Sequence, residues 1–489
     1  MTESLLPAVF AFLTVLVTLD NWRRGLLLAV LVGFAQDPLR KITPGEPVYF
    51  VVLALAVASF AGAVAWMRLG GFRLNKMLHG DRLLRNAVTA MFFIVAVQAV
   101  HAFVRFGSPV LVGIGVMAYL APLGALWFAY QYARGIDDVR RLLQVYVICA
   151  LVAAGAVLLS YLGVDSPLFK EVGPGVQIYE RTLGMYINAH VGIMRASEIA
   201  AWHLGAATCF VLILAFASRR PVVIQLAVII SGVLITAGLL TGRRKMLAMI
   251  AGFMVLYLLL IWNSRHRSAR NTIMTALLAP MVVLAGVLLI GGGSINEGGL
   301  ASYVHRGNTV WEDAYDRFMN LGVRSMEWAW YRAGFFGLGV GSGSQGAQHF
   351  GGGAAGGAAE AGLGKIMSEL GIPGLVVVLF VIWAFARHFW RNLKLMRLMS
   401  AEMSMILFGL IAFLAANFVI FTSAAQVFGD PFVLLILGSC AGFVLATPRL
   451  LYSEQVLQQR KLARMRQSSL AAHGTSSSPV VTGIGRPLP

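Results

Sequence analysis

Apolar residues run along this chain in long blocks separated by short charged stretches. The blocks are 4–19, 25–36, 48–67, 86–105, 110–132, 142–162, 196–217, 221–240, 246–262, 272–291, 371–386, 402–421 and 431–447. A helix crossing a bilayer core of roughly 30 Å needs about 20 apolar residues, fewer where it is re-entrant. Each block therefore reads as a membrane helix, and because the first two are short the expected number is twelve or thirteen. Glycine and proline inside the blocks fit lipid-embedded helices, which pack through small residues. The blocks are continuous rather than alternating, which argues against an outer-membrane barrel. The expected fold class is an all-α polytopic membrane protein. Its parts are membrane helices over 1–291, one large loop over 292–370, membrane helices over 371–448, and a basic tail over 449–489 that is Ser/Thr/Gly/Pro-rich beyond about Arg466 and reads as disordered.

Composition agrees. Of 489 residues, 58% are hydrophobic and 12% charged, against about 25% charged in a soluble domain, and the mean hydropathy is +0.77. This excludes a cytosolic enzyme, a secreted disulfide scaffold and a disordered protein. Cys149, Cys209 and Cys440 all fall inside apolar blocks and read as small core residues. No cleavable signal peptide is evident, since the start lacks a basic region.

The net charge of +18 must be sorted by membrane side before it suggests a partner. Every second loop is basic. One set holds Arg23 and Arg24, Arg68 to Arg85, Arg134 to Arg141, Arg219 and Arg220, Arg265 to Arg270, and Arg387 to Arg397, with the tail adding Arg449 to Arg486. The positive-inside rule assigns this set to the cytoplasm and leaves 37–47, 163–195, 241–245 and 292–370 on the opposite, periplasmic side. Nucleic acid is not an expected partner.

Cations on that opposite side run against the insertion bias, and ionisable groups near the membrane are functional candidates by default. They are Arg40 and Lys41, Arg195, and the cluster Arg243, Arg244 and Lys245. The plain alternative is that they are anchors at helix ends. Converging arginines suit phosphate, whose oxygens match the guanidinium fork; outside the cytoplasm that phosphate belongs to a lipid. Arg195, Glu198 and Trp202 are spaced i, i+3 and i+7, one face of a helix start. They read either as a cation oriented by Glu198 beside a sugar-stacking Trp202, or as an ion pair with an interfacial tryptophan.

The loop 292–370 is long enough to be functional. Its first part, Tyr303 to Tyr331, has helical character and carries Trp311 and Arg317, candidate glycan contacts. Its second, Gly334 to Gly357, is glycine-dominated, giving close backbone approach or a hinge. The literal GxGxxG at 341–346 has no strand or crossover around it and is rejected as a dinucleotide site. Glu312, Asp313 and Asp316 lack a histidine at ligand spacing, so no metal site is expected. Glu360 precedes the next block; it is either a general base of raised pKa or an acid placed for the helix dipole.

Four segments resemble the bacterial O-antigen ligase and polysaccharide polymerase superfamily of inner-membrane proteins. They are Arg195-Ala-Ser-Glu198-Ile-Ala-Ala-Trp202, Thr241-Gly-Arg-Arg-Lys-Met246, the helix followed by Gly-x-Gly over Arg317 to Gly346, and Ser368-Glu-Leu-Gly-Ile-Pro-Gly374. The likeness covers about residues 180–390. It implies a GT-C-like glycosyltransferase with its active face in the periplasm, needing no cofactor. The donor it implies is a glycan on undecaprenyl diphosphate, and the acceptor another lipid-linked repeat (polymerase) or lipid A core (ligase). The reaction would be a metal-independent inverting displacement, with polysaccharide export or chain-length proteins as further partners. Arg195, Arg243, Arg244, Lys245, Arg40 and Lys41 would then hold the diphosphate, Glu198 would orient Arg195, Glu360 would deprotonate the acceptor, and the glycine segment would close as a lid. The chain departs from the family in one place: where many ligases carry a His-Asn pair, this chain has Glu360 and Ala361. Either Glu360 takes over as base, or the base lies elsewhere, or this branch is not catalytically equivalent. A polymerase is favoured over a ligase, and a lipid-linked glycan transporter or a non-catalytic subunit of a secretion complex remain the rivals.

Overall fold

A computed structural model describes residues 5–71, 78, 81–172, 177–180, 183–263, 299–312, 318–344, 347 and 361–474. The expected span 272–291 lies outside them. Fifteen helices are described: α1 (Leu5–Asp20), α2 (Arg24–Ile42), α3 (Leu53–Arg68), α4 (Arg82–Phe106), α5 (Pro109–Tyr132), α6 (Ile136–Tyr161), α7 (Ser197–Ser218), α8 (Pro221–Leu240), α9 (Lys245–Trp262), α10 (Leu300–Glu312), α11 (Arg324–Ala333), α12 (Gly362–Met396), α13 (Ala401–Ser423), α14 (Pro431–Leu445) and α15 (Thr447–Gly474). Among the described residues nine helices are long and apolar enough to cross a membrane, or ten if α14 and the start of α15, bent by 55°, form one broken span. The protein is a multi-pass, all-α membrane protein. Its described sheet is a hairpin, β1 (Gln177–Glu180) antiparallel to β2 (Met185–Asn188), inside what the sequence reads as a loop.

Two boundaries differ from the apolar blocks. The second block ends at residue 36, whereas α2 continues through Pro38 to Ile42 and carries Asp37, Arg40 and Lys41 on its last turns. Those polar groups find partners beyond the helix, so polarity did not end it. The tail, read as disordered beyond Arg466, is helical to Gly474. Between Pro448 and Gly474 it has no helix breaker and is rich in Leu, Gln, Arg and Ala, all good helix formers.

Helix α7 is the axis of the bundle: 94% of its apolar window is buried, against 28–56% for the other spans. It packs on α6, α8, α9 and α13. In its second turn His203 meets the Tyr146 hydroxyl (2.7 Å) and stacks on Phe432, tying α6 and α14 to the axis. Helices α5 and α14 cross closely because Gly438 and Gly442, four residues apart, lie against the Pro122 and Leu126 carbonyls.

Candidate functional site

The four segments assigned to one side by charge alternation meet at one end of the bundle. Asp430 starts α14 as an N-cap, accepting from the Phe432 and Val433 amides (2.8 and 2.9 Å) through Oδ1. Its other oxygen takes Nη2 of Arg195. Asp37 on α2 accepts from the Arg195 amide (3.0 Å) and from Nη1 (3.2 Å). Arg195 therefore bolts α2 and α14 to the start of α7. Burial opposes its charge, but Asp430 and Asp37 outweigh burial and raise its pKa. Lys41 spends its three donors on the carbonyls of Leu168 (2.8 Å), Gly192 (2.9 Å) and Met194 (2.6 Å). It pins the segment that leads into Arg195.

A second layer surrounds a pocket. The α8–α9 turn is closed by Gly242 at φ +67, a left-handed conformation that suits glycine. The turn sends Arg243 back across α7: Nε donates to Ser197 Oγ (2.9 Å) and Nη1 pairs with Glu198 (3.0 Å). With its amide oriented to satisfy both groups, Gln426 donates to both Glu198 oxygens (3.0 and 2.8 Å). Lys245 and Arg243 form the basic lip, while Trp202, Met246, Met249 and Ile420 form the apolar wall. The cavity is about 40 Å³, enough for one or two waters, so a larger ligand must part α7, α9 and the 424–427 segment. Beside it, Arg244 donates to Thr309 on α10, and Arg306 on α10 donates to the Gly242 carbonyl (2.8 Å) and pairs with Glu180 of β1.

Several expectations change here. Glu198 orients Arg243, not Arg195. Helical spacing governs only residues inside the helix, and Arg195 precedes it in a bend that turns its side chain toward α2 and α14. Arg195 and Lys41 are committed to protein partners and are not available to a phosphate in this arrangement. Trp202 is buried at 4% exposure and donates from Nε1 to Asn417 (2.8 Å), so it is pocket wall and not an open sugar platform. Arg40 stays at the rim, its Nε on the Glu46 carbonyl (3.0 Å). Glu360, Arg317, Asp313 and Asp316 lie outside the described residues, as does the side chain of Trp311. Sequence reading missed Asp37, Asp430, Ser197, Gln426, Asn417, Glu180 and Arg306. Of these, Asp430-Pro431 ahead of an apolar run is a legible cap signal; the others announce themselves only through distant partners.

The glycine segment is not a lid over its described length. Helix α12 is broken at Gly371 (φ 68). The carbonyls that the break would orphan are taken by the segment: Leu338 N–H donates to Ser368 (2.8 Å), Gly339 N–H to Glu369 (3.0 Å), and Gln98 Nε2 to Leu370 (3.3 Å). The fully buried Glu369 accepts from the Gly343 amide (3.0 Å) and the Tyr119 hydroxyl (2.7 Å). Residues 337–343 are thus a buried strap between α4, α5 and α12. Among the described residues no three His, Cys, Asp or Glu side chains gather as a metal would need. No protein-family model matches the chain, and no curated protein matches it.

Proposed function

We propose that this chain is a bacterial inner-membrane glycosyltransferase that polymerises undecaprenyl-diphosphate-linked repeat units on the periplasmic face. The observation that carries the reading is the pocket beside α7, where two cations, Arg243 and Lys245, stand with Glu198 and Gln426 beside an apolar wall of Trp202, Met246, Met249 and Ile420. A lipid diphosphate has that polarity: an anionic head joined to a hydrocarbon chain. Guanidinium forks match phosphate oxygens, and Glu198 with Gln426 keeps Arg243 aimed at the lip. Arg244, next in the same turn, adds positive charge; Arg195 serves the scaffold.

In the displacement, an acceptor hydroxyl oxygen forms a bond to the anomeric carbon. The bond from that carbon to the diphosphate oxygen breaks, and the pair of electrons leaves on the diphosphate. Arg243 and Lys245 meet the charge that develops there, usually the largest electrostatic lever in such a step. The acceptor proton goes to Glu360. A transporter would draw support from a broken helix with free carbonyls at its break; here those of Ser368, Glu369 and Leu370 are occupied.

The test is chain growth by purified protein in nanodiscs given labelled undecaprenyl-diphosphate repeat units. Arg243→Ala is expected to lower turnover by about 100-fold or more. No transfer by the wild-type protein, or undiminished growth with Arg243→Ala, overturns the reading.

A further inference from the structure

We infer that Arg306 and Glu180 are positioning residues that aim Arg243 into the diphosphate pocket; the inference rests on the function proposed above. Arg243 reaches the pocket only if the peptide joining it to Gly242 keeps one orientation. That peptide is planar, and it is held at both ends. The Arg243 amide donates to Thr241 Oγ1 (3.3 Å), and the Gly242 carbonyl accepts from Arg306 Nε (2.8 Å). Fixing both edges of the plane fixes the direction in which the Arg243 side chain leaves the turn.

Arg306 is itself fixed. Its Nη1 pairs with Glu180, and both side chains are largely withdrawn from solvent, at 12% and 5% exposure. Glu180 stands at the end of β1, where hairpin register sets it opposite Met185. The hairpin also touches the turn directly, since a Cβ on Gly242 would come 2.9 Å from Ile178 Cδ1. Helix α10 is held down on the same structure. Gly307 lies on Leu239 and Leu247, the Tyr303 hydroxyl donates to the Asn188 carbonyl (2.8 Å), and Thr309 Oγ1 donates to the Arg306 carbonyl (2.9 Å) while taking Arg244. The hairpin and α10 come from segments far apart in sequence, and Arg306 is where they grip one backbone carbonyl of the arginine turn. Neither Arg306 nor Glu180 lines the pocket, so they act through Arg243.

The experiment measures undecaprenyl diphosphate binding to full-length protein in nanodiscs, together with thermal melting. Arg306→Gln keeps a donor-bearing side chain but loses the fixed charge, and its Kd is expected to rise about tenfold. Arg306→Lys is expected to recover part of that loss. The charge swap Glu180→Arg with Arg306→Glu separates positioning from stability. It restores an ion pair, and with it the melting temperature, but a glutamate cannot donate to the Gly242 carbonyl, so binding stays weak. Wild-type binding in Arg306→Gln, or full recovery of binding in the swap, overturns the inference. If Arg243→Ala abolishes binding while Arg306→Gln does not, the proposed function stands and only the positioning role falls. If the wild-type protein binds no diphosphate, both fall together.

Discussion

The arginine end and the glycine strap both solve the same problem, polar groups inside an apolar bundle, by opposite means. At the arginine end the groups are side chains and the currency is charge: Arg195 between Asp37 and Asp430, Arg243 on Glu198, Arg306 on Glu180. In the strap the groups are backbone, and amides of Leu338 and Gly339 replace the helical bonds that α12 loses at Gly371. The first solution is strong but fragile, because removing one partner strands a buried charge. The second is limited chiefly by bulk, since a Cβ on Gly339 or Gly341 would meet neighbouring backbone.

The largest expected effect breaks the arginine end. Arg195→Ala leaves Asp37 and Asp430 facing each other without a cation, and breaking a buried pair in this way costs about 3–5 kcal/mol. Denaturant titration in detergent micelles checks it. Arg243→Ala, whose partner Glu198 is 22% exposed, should cost far less stability while costing activity. Equal stability losses for the two variants would erase the distinction drawn here between scaffold and site.

The strap should respond to volume instead. A Cβ on Gly339, at φ +98, would stand 2.6 Å from the Ala102 backbone. Gly339→Ala is expected to lose about 1–3 kcal/mol by overpacking, in addition to the strain of a left-handed residue. Gly45 has a similar φ of +79 but open space around it, so Gly45→Ala isolates the strain alone. Matching losses at the two positions would show that close approach contributes nothing to the strap.

Much of this was legible along the chain, and the division between what was and was not is physical. Apolar length marked nine helices that qualify as spans among the described residues, ten with the bent pair, where twelve or thirteen were expected, and charge alternation grouped the loops that do meet at one end. Clustered cations pointed to Arg243 and Lys245. What escaped was pairing over distance. Nothing near Arg195 in sequence names Asp37 or Asp430, which are 158 and 235 residues away, so the acid at i+3 looked like the natural partner. The strap escaped for a related reason. Glycine repeats signal close approach, but only the broken α12 reveals what is approached and why the segment stays put.

The smallest expected effect concerns pH, and it sharpens the contrast between charge and volume. His190 lies two residues past β2, Nδ1 at 3.2 Å from Ser160 Oγ and its amide on the Leu240 carbonyl (3.2 Å) at the end of α8. Burial lowers its pKa below the usual 6.5. Just below pH 6.5 the unfolded chain therefore binds a proton that the folded chain refuses, and stability falls as pH falls through that window. Melting temperature should thus decline on acidification from pH 7 to pH 5, and His190→Gln should flatten part of that decline. Gly339→Ala should shift the whole curve down, because it adds bulk against the Ala102 backbone and introduces no titrating group. A slope unchanged in His190→Gln would remove histidine from the charge-dependent half of the comparison.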